Sequence, residues 1–144
     1  MIENNYKYFR YEKKFKLNKN SQNLVIDFLF RNNLRLTEHN KERKINSIYF
    51  DTLNFKHLKD NINGLNSRKK FRIRWYGFNN QNEPNKANLE IKIKKGLLGK
   101  KLIFPLKIFK INSQGNFTYS LDLANTDKAI LHEFNSLRPN LMVT

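Results

Sequence analysis

Charged and apolar side chains alternate along "RKKFRIRWY", residues 68–76: Arg68, Lys70, Arg72 and Arg74 fall on one parity, Phe71, Ile73 and Trp75 on the other. A period of two predicts a β-strand with one buried face. The same pattern runs through residues 8–17, where Arg10, Glu12, Lys14 and Lys16 oppose Tyr11, Phe15 and Leu17, with Lys13 as the exception. In residues 45–51, Ile48 and Phe50 oppose Ser47, Tyr49 and Asp51; in residues 89–94, Leu89, Ile91 and Ile93 oppose Glu90, Lys92 and Lys94. Four strands are predicted here, the third pairing with the fourth across the polar "NNQNEPNKAN". "KLIFPLKIFKI" and "FTYSL" are weaker strand candidates, and Pro105 argues for an edge or a bend in the first.

Spacings of three and four predict helices elsewhere. Residues 21–33 carry Leu24, Val25, Phe28 and Leu29, with Ser21 as the candidate cap. Residues 54–65 carry Phe55, Leu58, Ile62 and Leu65. Residues 126–138 carry Ala129, Ile130, Phe134 and Leu137, with Thr126 as cap and Pro139 as the stop. "NLMVT" then begins another strand. The expected class is α+β: an antiparallel sheet with flanking helices.

Composition changes this picture in one respect. The chain has 144 residues, 39% of them hydrophobic, which suits one folded domain. Lys and Arg number 28 against 12 Asp and Glu, a net charge of +16. Such an excess calls for an anionic partner: nucleic acid, anionic lipid or a polyanionic substrate. The absence of cysteine excludes disulfides, thiolate metal sites and cysteine nucleophiles. No stretch reads as a signal peptide or as a membrane span of ~20 residues, so a cytoplasmic location is expected.

The sign of the polar faces then matters. A half-solvated sheet explains polarity but not a bias toward cations on three strands, because like charges on neighbouring strands repel. Arginine suits phosphate, since its planar fork donates two hydrogen bonds at once. Glu12 and Glu90 stand among the cations. Carboxylates repel a nucleic-acid backbone unless a divalent ion intervenes, so the composition of the face favours a metal-assisted phosphate site. A nucleic-acid-binding surface is the alternative; the basic charge with Tyr8, Tyr11, Trp75 and Tyr76 would serve it, although alternation puts Trp75 on the apolar side.

In order along the chain, "FRYEKKFKL", "SIYFDT", "RKKFRIRWYG" and "LEIKIKKGLLGKK" resemble the VTC domain, the polyphosphate polymerase branch of the triphosphate tunnel metalloenzymes, also called CYTH-like. The resemblance runs over residues 6–144 and implies a VTC-like domain over residues 5–144, shortened at its C-terminal side. It implies an antiparallel β-barrel forming a tunnel, or part of one, lined by Arg, Lys and Glu. It further implies transfer of the terminal phosphoryl group of ATP to a polyphosphate chain with Mg or Mn.

By position, Arg10, Glu12 and Lys14 match the first tunnel strand, where the wider superfamily has Glu-x-Glu-x-Lys; Arg10 replaces the first of those acids. Arg72 and Arg74 match the arginines that grip phosphate. Lys92 with Glu90 matches a Leu-Glu-x-Lys strand. Lys94 and Lys101 extend the basic lining or face solvent. The phosphate-binding set implied is thus Arg10, Lys14, Arg72, Arg74, Lys92 and Lys94, with Glu12 and Glu90 toward the metal and no protein nucleophile. The family's later strands bearing tyrosine, arginine and a metal-anchoring carboxylate have no counterpart here.

The partners implied are ATP or another triphosphate, polyphosphate and a membrane-associated partner protein, with no specific nucleic acid; open sheet edges would also allow self-association. The alternative is a non-catalytic basic β-domain binding polyphosphate or nucleic acid. His39, His57 and His132 have no metal-ligand spacing, and Asp51 is expected to cap the helix that follows it.

Overall fold

The computed structural model describes residues 9–14, 16–32, 42–77, 87–112, 114–121 and 128–143. Two compact units are present, one formed by residues 1–12 and 43–144 and the other by residues 13–42. The second unit holds a short 3-10 turn, Lys19–Ser21, leading into helix α1, Gln22–Arg31. Ser21 stands at the N-cap as expected, but its side chain makes no capping hydrogen bond.

The larger unit is built on an antiparallel sheet. Its strands are β1 (Arg10–Tyr11), β2 (Ile45–Asp51), β3 (Ser67–Tyr76), β4 (Asn88–Lys95), β5 (Leu98–Ile111), β6 (Phe117–Leu121) and β7 (Arg138–Val143). Helix α2 (Lys56–Ile62) joins β2 to β3, and helix α3 (Lys128–Asn135) precedes β7. The strand order is β1-β5-β4-β3-β2-β7, with β6 paired to β5 off this path. The third and fourth predicted strands pair as expected, Arg72 opposite Glu90 and Lys70 opposite Lys92.

Alternation locates the core. Phe71, Ile73 and Trp75 of β3 are buried, as are Leu89 and Ile91 of β4 and Ile48 and Phe50 of β2. Helix α3 covers this face: Phe134 lies 4.8 Å from Phe50 by ring centroid and 6.3 Å from Phe71. Lys69 pins it further through an ion pair to Glu133 at 2.7 Å. At the far end Trp75 meets Phe109 of β5 at 4.9 Å.

Several expectations are corrected. The first strand was predicted over residues 8–17 but comprises Arg10–Tyr11 alone, because the chain passes into the second unit at Lys13. Tyr11, expected on the buried side, is 80% exposed. The expected barrel is not closed among the described residues: β1 and β7 end the ladder without pairing to each other. Pro105 is not at an edge. It faces Asn88 where the β4 pairing of β5 ends, and β6 takes over from Leu106 with a register shift. A residue with no N–H to donate fits such a handover. Helix α3 stops at Asn135, and Pro139 lies inside β7 opposite Phe50. Thr126 lies outside the described residues.

Helix α2 forms where expected, but its apolar stripe is not its inner face; Phe55, Leu58, Ile62 and Leu65 are exposed. Asp51 explains this. Its buried carboxylate accepts hydrogen bonds from the backbone N–H groups of Thr52 (2.7 Å), His57 (2.9 Å) and Leu58 (2.8 Å). Capping the first turn from six residues upstream fixes the rotation of the helix. His57 then faces the Phe71 ring at 5.2 Å, and Asn61, one turn on, donates to the Lys69 carbonyl at 3.1 Å. No helix among the described residues is long and apolar enough to cross a membrane.

Candidate functional site

The polar parity of β3 and β4 faces away from the core and lines a cleft of about 220 Å³. Register dictates its composition. Tyr49 of β2 stands opposite Arg72 of β3, which stands opposite Glu90 of β4. Two residues along, Lys70, Lys92 and Lys101 form a row across β3, β4 and β5. Arg10 enters from β1 opposite Gly99. Glu12 follows, its backbone N–H bonded to the Leu97 carbonyl in the β4–β5 turn at 3.2 Å. Six cations line the cleft, Arg10, Lys70, Arg72, Lys92, Lys100 and Lys101, against the carboxylates of Glu12 and Glu90.

Glu90 is the electrostatic centre. It is 5% exposed. Arg72 donates from Nε and Nη2 to its Oε2, at 2.8 and 2.6 Å, while Lys101 Nζ approaches Oε1 at 2.7 Å. Arg72 also donates from Nη1 to the Tyr49 hydroxyl at 3.2 Å. Burial by itself pushes the Glu90 carboxyl up, but the bonds from Lys101 and Arg72 outweigh it and hold the carboxyl below its ordinary value. Burial likewise works to lower the Arg72 guanidinium, and Glu90 and Tyr49 more than offset it. Arg74 stands just outside: its Nε is 3.8 Å from Glu90 Oε2 and, though buried, has no hydrogen-bond acceptor among the described residues. Glu12 makes a second ion pair, Oε1 to Lys92 Nζ at 2.8 Å.

Gly99 makes room for that second pair. A Cβ at this position would sit 3.2 Å from Glu12 Oε2. The absent side chain lets the Glu12 carboxylate lie against the β5 backbone.

Of the residues singled out from the sequence, the structure brings Arg10, Glu12, Lys70, Arg72, Glu90, Lys92 and Lys101 to the cleft, with Arg74 at its margin. Lys94 is one row further on, between Arg68 and Gly99, and does not line it. Lys14 belongs to the other unit. Sequence reasoning passed over Tyr49 and Lys100. For Tyr49 a signal existed, since it shares parity with Ser47 and Asp51 opposite Ile48 and Phe50.

No group of three or more His, Asp or Glu is placed to hold a metal among the described residues. Both oxygens of Glu90 are engaged by cations. Magnesium, however, typically takes one or two carboxylates and completes its shell with phosphate oxygens and water. The described residues of the cleft thus offer no site at which protein alone would hold a metal.

Chemically, such a surface can grip a condensed anion through several charge-assisted hydrogen bonds, each contributing about 1.5–3 kcal/mol net. Neither the curated proteins nor the solved structures include a match to this chain. A family model does match: that of the VTC domain, over residues 9–140. With nearly all of its length matched and a basic, carboxylate-bearing cleft on the sheet, the chain belongs to the VTC domain family, which is related to polyphosphate polymerases.

Proposed function

We propose that the cleft binds the condensed phosphate chain of a nucleoside triphosphate or of polyphosphate, and that its chemistry is transfer of the terminal phosphoryl group of ATP to a polyphosphate end. One observation carries the reading. Lys70, Lys92 and Lys101 stand side by side across three strands, next to an Arg72–Glu90 pair that leaves cations in excess. Adjacent like charges repel unless an anion compensates them. A chain of phosphates places its charges along such a row.

In this reading Arg72, Lys92, Arg10 and Lys101 hold the phosphates, and Arg74 Nε acquires the acceptor it lacks. Glu90 acts as counter-ion, keeping Arg72 oriented until phosphate arrives. A terminal oxygen of the polyphosphate attacks the γ-phosphorus in line. The bond from that phosphorus to the β–γ bridging oxygen breaks, and ADP leaves with the electron pair. The cations contribute by positioning both chains and stabilising charge on the leaving group. Glu12 would hold Mg or Mn arriving with the phosphates, and the ion would supply charge neutralisation there.

Binding without turnover is the second reading. It is favoured by the engagement of both Glu90 oxygens by cations. A thermal-shift experiment tests the shared claim. Tripolyphosphate should raise Tm well above single-stranded RNA of equal charge, and Arg72→Ala should remove most of that rise. A larger shift with RNA would overturn the phosphate reading. Formation of acid-labile polymer from ATP and Mg separates turnover from binding.

A further inference from the structure

A second cavity adjoins the basic cleft. It has a volume of about 450 Å³ and is mostly apolar, walled by Phe50, Phe55, His57, Leu58 and Phe71, with Asn140 of β7 at its side. Tyr49 and Lys70 line both spaces. A largely apolar, aromatic chamber, with Asp51 and Lys70 as its charged members, thus adjoins a cationic one. Its size falls within the range usual for small-molecule sites, roughly 300–1,000 Å³.

Two features of the backbone shape this chamber. Phe55 has φ 54°, left-handed and unfavourable for a bulky residue. It is held there by its N–H bond to the Thr52 carbonyl at 3.0 Å and by the Asp51 cap on the following turn. Asn140 sits where the β2–β7 register shifts, between Leu141 opposite Tyr49 and Pro139 opposite Phe50. Strained residues and bulges recur where a protein aims side chains at a ligand. Core packing does not require Phe55 here, since its side chain remains half exposed.

We propose that this chamber receives the base of a nucleoside triphosphate whose phosphates occupy the neighbouring cleft, a proposal that rests on the phosphate reading above. A flat aromatic group tethered to a polyanion matches the two chambers in kind and in adjacency. Aromatic walls stack bases with little regard to sequence, and His57 and Asn140 supply polar edges. The cleft would accept any condensed phosphate; the chamber would select those that carry a base.

The test compares ATP with methyl triphosphate, which has an ester-capped phosphate chain and no base, by calorimetry on the whole chain. ATP is expected to bind about tenfold more tightly. Phe55→Gly should abolish that preference while leaving methyl triphosphate affinity unchanged, and glycine adopts φ 54° freely, so the fold is retained. Leu58→Trp, which fills the chamber from α2, should do the same. Equal affinities for the two ligands in the wild type, or an ATP preference that survives both substitutions, would overturn the base site and leave the phosphate reading standing. Failure of methyl triphosphate to bind at all would instead overturn the phosphate reading.

Discussion

Glu90→Gln removes one charge and almost no volume from the centre of the cleft. In the wild type that carboxylate faces Arg72 at 2.6 Å, Lys101 at 2.7 Å and Arg74 at 3.8 Å. Deleting one partner of a buried ion pair typically costs about 3–5 kcal/mol, because the other charge is left uncompensated. Here the cations are only partly buried, with side-chain exposures of 23%, 37% and 21%, so water recovers some of the loss. We expect about 3 kcal/mol, a fall in Tm of about 10 °C for a chain of this size. Chemical denaturation and thermal melts should both record it.

The same substitution should tighten triphosphate binding, since phosphate no longer competes with Glu90 for Arg72 and Lys101. A tenfold gain in affinity corresponds to about 1.4 kcal/mol. Saturating tripolyphosphate should therefore stabilise the variant more than the wild type and narrow the gap between them. A variant within 1 kcal/mol of the wild type, or one that tripolyphosphate stabilises less, would refute the assignment of Glu90 as the counter-ion of the cluster.

Acid should expose the same group. Because the folded-state Glu90 carboxyl is held below its ordinary value, its contribution is present above the unfolded-state value, near 4.5, and is lost as pH falls through the folded one. The stability difference between the wild type and Glu90→Gln should thus shrink as pH falls below about 4.5, in urea titrations at several pH values. Asp51→Ala should cost about 3 kcal/mol by denaturation, since three backbone N–H groups lose a charged acceptor. Gly99→Ala should change stability by less than about 1 kcal/mol while shifting the Glu12 carboxylate, and the readout is weaker Mg-dependent enhancement of triphosphate binding with metal-free binding unchanged.

The alternation in residues 68–76 and 89–94 revealed both the core and the polar face, because a period of two leaves little freedom about which side is buried. Phe71, Ile73, Trp75 and Leu89 are all essentially inaccessible. The pairing of β3 with β4 was legible for the same reason, and it brought Arg72 beside Glu90. What a single strand cannot encode is which row of its polar face meets which row of a neighbour. Lys92 and Lys94 look equivalent by parity, yet only Lys92 lines the cleft. For Tyr49 the sequence carried only its parity with Ser47 and Asp51; its hydroxyl matters because β2 places it opposite Arg72. The early end of β1 had one weak local signal: Lys13 breaks the alternation of "YEKKFKL" at the residue where the chain passes into the second unit. For α2, the apolar stripe misled because one upstream carboxylate sets the helix rotation.

The open ladder has a bearing on salt. With β1 and β7 unjoined among the described residues, the cationic row lies on an open sheet and not inside a closed barrel. For a phosphate chain bound as proposed, the field of that row decays over about 8 Å at 0.15 M ionic strength. Polyphosphate held this way should come off readily as ionic strength climbs, and a further strand laid along either rim would slow its escape.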